Sequence, residues 1–397
     1  MNPPAASALS RPPRLGIIGG GQLARMTAQA ARQLGVSVAI LERAADCPAA
    51  PLAAPALVGD WNSPAALREL AGHADVLTLE NEFVDATALA ELERSGAVLL
   101  PGAATLARVQ DKLLQKQALA AAGLAVPAFR AVAAPGELEA ATREFGLPLV
   151  LKTRRNGYDG KGNFTLRDPA DIPTAWTALG GDRGNPLFVE AFCPFVRELA
   201  IIITRGRDGA SAAYPVVETV QRDHICHVVR APAPGSPDTA ARAAELARAA
   251  VAAVDAVGSF GVEMFETADG AVVINELAPR VHNSGHYTIE GCDCSQFENH
   301  VRAVLGWPLG SPRLRAPAAV MVNLLGAGPG AGWPLGLETA LAIQGAHVHL
   351  YGKTRSARGR KLGHVTALGA TLAEAEDTAR RAAAALRFGG PGGCVSS

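Results

Sequence analysis

The sequence lacks an excess of charge of either sign. Its 37 Lys and Arg balance 37 Asp and Glu over 397 residues. A surface for nucleic acid or acidic membrane needs clustered positive charge, so those partners are not expected; a local basic pocket for one phosphate group stays compatible. No apolar run approaches the roughly 18 residues of a membrane span. The stretch 1–13 holds Pro, Ala and Ser but no apolar centre, which argues against a signal peptide and reads as a disordered leader. The six cysteines (Cys47, Cys193, Cys226, Cys292, Cys294 and Cys394) are scattered. Their one close pair, Cys292-x-Cys294, lacks the spacing of common zinc or redox motifs. Free thiols in a reducing cytoplasm are expected. No internal repeat is visible.

Hydrophobic residues make up 49% of the chain, enough for two or three cores at roughly 100–200 residues per domain. Apolar runs at Leu15–Ile18, Val36–Leu41, Val76–Leu79 and Val98–Leu100 alternate with helical stretches, the first from Gln22 to Leu34. This pattern predicts a doubly wound parallel sheet over 14–110. Helical periodicity then runs from Thr105 to Ala122 and ends at Gly123. Strands are expected at 148–153, 162–166, 187–190, 197–204, 212–220, 262–267 and 271–277, with a helix over 237–257. Proline becomes dense over 308–317, which places a boundary near 310 and a last unit over 311–397: strands at 318–324, 347–351 and 364–367, a helix over 372–386, and a frayed Gly-rich tail after Gly389. The class is mixed α/β and α+β.

Three patterns carry chemistry. Gly19-x-Gly21-x-x-Ala24 follows a strand, opens a helix, and has Glu42 about 20 residues on, which fits a dinucleotide fingerprint. An oxidoreductase is one reading. Another is a helix N-terminus holding part of a phosphorylated ligand, with Gln22 adding a contact. Asp269-Gly270 between apolar strands is a hairpin signal. A two-residue loop there would set Glu263 directly opposite Glu276, with Cβ atoms roughly 4.5–5.5 Å apart. Their flanks are apolar, so the like charges favour a divalent cation, Mg²⁺ suiting oxygen donors. Solvated carboxylates or a shared proton are the alternatives. The Gly-rich segment Asn156 to Gly162 lets backbone approach a phosphate, or simply closes a hairpin. It is no Walker loop, because the Lys-Ser/Thr ending and following helix are missing. Lys152 before it could reach phosphates. Glu190 and Glu198 could accept hydrogen bonds from a ribose or stay structural. Lys353, Arg355, Arg358, Arg360 and Lys361 form a basic loop that is either solvated or a phosphate site.

Together the motifs resemble the N5-carboxyaminoimidazole ribonucleotide synthase family of ATP-grasp enzymes. The matching stretches are Gly19–Arg25 (GGGQLAR), Glu80–Glu82 (ENE), Asp111–Gln117 (DKLLQKQ), Gly157–Gly162 (GYDGKG), Ile274–His286 (INELAPRVHNSGH), Ser295–Glu298 (SQFE) and Gly359–His364 (GRKLGH). The resemblance implies a first domain over 14–110, an ATP-grasp domain over 111–310 and a small C-terminal domain. It implies ATP and Mg²⁺, 5-aminoimidazole ribonucleotide and bicarbonate as substrates, and a cytoplasmic homodimer. By match, Lys112 and Lys152 would meet phosphates under a cover formed by Gly157, Tyr158, Asp159, Gly160, Lys161, Gly162 and Asn163. Glu190, Ala191, Phe192 and Cys193 would hold adenine and Glu198 the ribose. Glu263 and Glu276 would hold the metal, with Asn275 beside them. Arg280 would face the bicarbonate-derived anion. Tyr158, Asp159, His282, Asn283 and Ser284 would surround the aminoimidazole ribonucleotide, Lys353, Arg360 and Lys361 would hold its phosphate, and Gln22 and Glu82 would reach in from the first domain. Arg280, Asp159, His282 and Lys353 are the expected catalytic set. A formate-using transformylase of the same fold and a non-catalytic nucleotide-binding module are the competing readings. The chain departs from the family pattern at Ala24, at Asn156, and at Asp223-His224, where an Asp-Gly turn is usual.

Overall fold

The computed structural model describes residues 11–157 and 161–389. The first unit alternates β1 (Arg14–Ile18), α1 (Gln22–Gln33), β2 (Ser37–Glu42), β3 (Ala56–Val58), α2 (Pro64–Gly72), β4 (Val76–Leu79) and α3 (Ala86–Arg94). Its parallel sheet runs β3-β2-β1-β4, buried on both sides as continuous apolar strands require. The run expected at 98–100 contributes only the bridge Leu77↔Leu99. Residues 1–10 of the expected leader lie outside the described residues. Its last part is held in place, because Arg11 pairs with Asp75 at 2.6 Å and Pro13 accepts from the Ser37 amide.

The helical stretch after Thr105 is two helices, α4 (Ala103–Gln110) and α5 (Lys112–Ala121). Asp111 breaks it with extended backbone and caps α5, accepting from the Leu113 and Leu114 amides. An aspartate at this position satisfies helix donors that have no partner within the helix. A four-stranded sheet follows, ordered β5-β8-β6-β7, from β5 (Phe129–Val132), α6 (Pro135–Phe145), β6 (Leu149–Thr153), β7 (Asn163–Leu166), α7 (Ile172–Ala178) and β8 (Leu187–Ala191).

The remaining chain builds one large sheet and a separate two-stranded one from β9 (Phe195–Arg205), β10 (Ser211–Ala213), β11 (Val217–Arg222), β12 (Ile225–Ala231), α8 (Pro237–Ala253), β13 (Gly258–Thr267), β14 (Val272–Ala278), α9 (Thr288–Gly291), α10 (Gln296–Leu305), β15 (Ala318–Leu325), β16 (Gly330–Ala331), α11 (Leu337–Leu341), β17 (Ala346–Leu350), β18 (Arg355–Ser356), β19 (Lys361–Gly369) and α12 (Leu372–Ala385), with β16 and β18 forming the two-stranded one. The expected strand 212–220 is split at Tyr214-Pro215, where proline lacks a ladder donor, and β12 was not foreseen. The sheet order is β14-β13-β9-β11-β12-β15-β19-β17, with β10 on β9. The proline-rich 308–317 therefore separates units along the chain but not in the sheet: β15 pairs with β12. The small-residue face of α8 (Ala243, Ala247, Ala250) packs on Phe260, Val262 and Ile201 beneath the site. The first unit joins this body through Leu23 and Met26 against Val281 and Phe297 and through the buried Thr78–His300 hydrogen bond of 2.8 Å. The Gly-rich tail from 390 lies outside the described residues.

Candidate functional site

Glu263 and Glu276 do face each other, but by a different route from the expected one. The turn holds three residues, because the Thr267 amide donates to Ala271 and the Gly270 amide to Thr267. Continued without change, that register would oppose Glu263 to Asn275. A β-bulge between Glu263 and Met264 shifts it, so Glu263 meets Glu276. A bulge of this kind re-aims side chains, and the buried Asn275 Oδ1 is left with no hydrogen-bond partner. Burial, then Glu276, pushes the Glu263 carboxyl well up. Burial also acts on Glu276, but an ion pair with Lys112, helped by Lys152 and Lys116, holds it down. His282 Nε2 lies 3.5 Å from Glu263. Burial, then Arg280, lowers its pKa to about 3, so the imidazole is neutral and this contact is no salt bridge.

These carboxylates line a cavity of about 940 Å³. One wall is cationic. Lys112 opens α5, and its amide donates to Arg154 at 2.8 Å. Arg154 in turn forks Asp111 at 3.0 and 2.7 Å. The start of the helix and the root of the Gly-rich loop are thus tied together. Lys152, Gly157, Lys161 and Asn163 line this wall. Asn156 adopts φ 63, as its tolerance of the left-handed region allows. Gly162 has φ +83, and a Cβ there would meet Thr153 Oγ1 at 2.4 Å; Gly162 itself does not line the cavity. Tyr158, Asp159 and Gly160 lie outside the described residues.

Glu198 lines the cavity beside Gln221, and burial raises its carboxyl to about 7 against the hydrogen bond from Gln221. Glu190, Ala191, Phe192 and Cys193, expected around adenine, are absent from the lining. Glu190 is buried between Lys116 and Lys152. The Ala191 and Phe192 amides already donate to Ala128 and Pro148.

The opposite wall joins three segments. Arg280 holds Glu82 of the first unit with Nε–Oε2 at 2.5 Å and Nη2–Oε1 at 2.9 Å. The two groups expected to reach separate ligands are thus engaged with each other. His282 Nδ1 meets Ser284 Oγ at 2.9 Å, and Asn283 exchanges amide hydrogen bonds with Asn323 at 3.0 and 2.7 Å. Lys353 Nζ donates to the Lys361 carbonyl and Arg360 to that of Arg355, which folds the basic loop over the cavity with Gln22 across from it.

Sequence reasoning missed two glutamines. Gln115 grips the Leu277 backbone, accepting from its amide at 2.8 Å and donating to its carbonyl at 3.0 Å. Gln296 does the same to His282 at 2.9 and 2.7 Å. Both are buried. Both sit in the polar motifs DKLLQKQ and SQFE, where nothing sets them apart from the polar residues around them.

The first Gly-rich turn is filled by the protein itself. The Gly20 amide donates to Glu42 at 2.8 Å, the Gly21 amide bonds Glu80, and a Cβ on Gly21 would lie 2.3 Å from the Glu80 carboxylate. A carboxylate of the chain occupies the anion position of the helix N-terminus. This removes both the dinucleotide reading and the phosphorylated-ligand reading of that turn.

Comparison with known proteins agrees with this geometry. Residues 13–110 match the ribonucleotide synthetase preATP-grasp domain, 117–297 the ATP-grasp domain, and 319–378 the phosphoribosylaminoimidazole carboxylase C-terminal domain. The N5-carboxyaminoimidazole ribonucleotide synthase of Synechococcus elongatus is 43% identical over 362 residues, covering 91% of this chain and 91% of that one. This chain belongs to the N5-carboxyaminoimidazole ribonucleotide synthase family. The chloroplastic phosphoribosylaminoimidazole carboxylase of Vigna aconitifolia is 42% identical over 368 residues, but the chain spans only 65% of its length. The crystal structure of the Aspergillus clavatus family member with ADP and 5-aminoimidazole ribonucleotide has a TM-score of 0.86 and 38% identity, covering 94% of this chain and 98% of that one.

The residues present fit the Mg²⁺ that the ATP-grasp fold implies. Glu263, Glu276 and the unpartnered Asn275 Oδ1 offer hard oxygen donors at one place, the kind this ion takes.

Proposed function

We propose that this chain carboxylates the exocyclic amine of 5-aminoimidazole ribonucleotide, using ATP and bicarbonate and releasing ADP and phosphate. The observation that carries the reading is one cavity with two differently built ends: opposed carboxylates backed by Lys112 and Lys152, and a basic loop facing Glu82, Arg280 and His282.

A bicarbonate oxygen attacks the γ-phosphorus of ATP, the bond to the β-phosphate oxygen breaks, and carboxyphosphate forms. The ribonucleotide amine then attacks its carbon, phosphate leaves and the amine loses a proton. Such transfer needs positioning and charge neutralisation more than covalent help. Lys112 and Lys152 take the phosphates, with residues 157–163 as their cover. Glu263 and Glu276 hold Mg²⁺, which offsets phosphate charge when bound. Glu198 accepts from the ribose. Arg280 faces the bicarbonate-derived anion. Neutral His282 with Asn283, Ser284, Tyr158 and Asp159 surrounds the aminoimidazole ring, and Lys353, Arg360 and Lys361 hold its phosphate. Gln22 and Glu82 complete the pocket from the first unit. A homodimer acting in the cytoplasm belongs to the same reading. Among the described residues no helix is long and apolar enough to cross a membrane.

The deciding experiment is ADP release with and without the ribonucleotide and bicarbonate. Release that needs both supports the assignment. Turnover sustained by formate and glycinamide ribonucleotide would replace it with a transformylase, and ATP binding without ADP release under any acceptor would leave a binding module.

A further inference from the structure

Lys116 lies one turn beyond Lys112 on α5 but does not line the cavity. It is a lysine at 2% exposure, a position that such a side chain occupies only when paired. Its Nζ is 3.0 Å from Glu190 Oε1 and donates to the Ile274 carbonyl at 3.3 Å, two positions before Glu276. The other Glu190 oxygen lies 2.6 Å from Lys152 Nζ, and Glu190 is 3% exposed. Two ammonium groups therefore share one buried carboxylate, and one positive charge remains. Lys152 lies on the cavity wall.

We propose that Lys116 is a positioning residue for nucleotide binding: by neutralising Glu190 from below, it leaves the charge of Lys152 available to the phosphates above. Without Lys116, a desolvated Glu190 would take Lys152 as its sole partner. A buried ion pair holds tightly once its third member is gone, because separating it would strand a charge. Lys152 would then present a neutralised pair to the nucleotide. Burial lowers the Lys116 pKa to about 8 against the pull of Glu190, so it still carries its proton at neutral pH. The proposal rests on the ATP-binding reading of the cavity.

The test uses the full chain with inorganic tripolyphosphate as a competitor of ATP, a probe blind to any adenine contact of Glu190. Lys116→Met should raise KM for ATP and weaken tripolyphosphate inhibition by about tenfold, the size expected for one charged hydrogen bond. KM for the ribonucleotide should hold. The double variant Lys116→Met/Glu190→Gln removes one charge of each sign, so Lys152 again carries the remaining positive charge. Tripolyphosphate should inhibit this variant within about threefold of the parent. If Lys116→Met does not fold, the double variant alone decides: a loss of inhibition as large as tenfold there overturns the proposal. So does a Lys116→Met protein with lowered Tm and kcat but unchanged KM for ATP. Failure of the ATP reading is distinguishable, because the unsubstituted protein would then neither release ADP nor respond to tripolyphosphate.

Discussion

Arg280 and Glu82, nearly 200 positions apart in the chain, form a two-bonded ion pair across the boundary between the first unit and the segment after β14. Both are largely buried, with side-chain exposures of 17% and 20%. A planar guanidinium matched to both carboxylate oxygens fixes direction as well as distance. Glu82→Gln should leave the guanidinium short of one charged partner and lower the unfolding free energy by about 2 kcal/mol. Denaturant titration measures it. Arg280→Lys should destabilise as well, since an ammonium cannot reproduce the fork, and an unchanged titration midpoint in both variants would count against the pair as a structural tie.

The opposed carboxylates set a second expectation. In the metal-free protein Glu263 and Glu276 repel each other, and burial already raises the Glu263 carboxyl. Glu263→Gln should therefore not destabilise the protein without metal, while Mg²⁺-dependent ADP release should fall by at least a hundredfold, about 2.7 kcal/mol. Glu276→Gln should also abolish turnover with folding retained. Circular dichroism checks folding and a Mg²⁺ titration of ADP release checks the rest.

Glu198 makes the site sensitive to pH. Its carboxyl is raised to about 7 by burial, so the native state keeps a proton that the unfolded chain releases near the ordinary value. Its contribution to stability is present at low pH and lost as pH rises through 7. Glu198→Gln should raise Tm of the nucleotide-free protein at pH 8, with the gain disappearing toward pH 5. A ribose hydroxyl donates to the ionised form, so ATP affinity of the parent should climb from pH 6 to pH 8. The Gln variant should show a flat profile by calorimetry.

Asp223 and His224 both have positive φ, 51 and 61, in the turn between β11 and β12. A two-residue turn of this shape favours glycine at its second position. His224→Gly should stabilise the protein by about 1 kcal/mol through relief of left-handed backbone. His224 lines the cavity, so KM values measured on the same variant show whether its side chain also serves a substrate.

Much of this was legible because the signals were local. The apolar runs at 15–18 and 76–79 need no partner to be recognised as strands, and Asp111-Lys112 kept its place even though the helix around it broke. What escaped notice depended on distant partners. The Glu263–Glu276 pairing was found through a two-residue turn, whereas the chain uses a longer turn and a bulge, two departures that offset each other. The Gly-rich turn looked vacant for a dinucleotide because nothing in Gly19 to Ala24 shows that Glu80, just past the end of β4, returns to fill it. Gln115 and Gln296 serve backbone atoms of Leu277 and His282, and a side chain that binds main chain leaves no complementary residue to find. Lys116 carries no local signal either, because its partner Glu190 lies on a strand of the small sheet far along the chain.

The two sheets of the ATP-grasp region share no strand pairing among the described residues. The carboxylates, Glu198 and the basic loop ride on the large sheet or its connections, whereas Lys152 and the Gly-rich loop ride on the small one. The placement of the cationic wall against the carboxylates therefore depends on side chains rather than on ladder hydrogen bonds. Two lysines of α5 reach both sides, Lys112 to Glu276 and Arg154 and Lys116 to Ile274 and Glu190, so the fit between the two sheets is set by one face of a single helix.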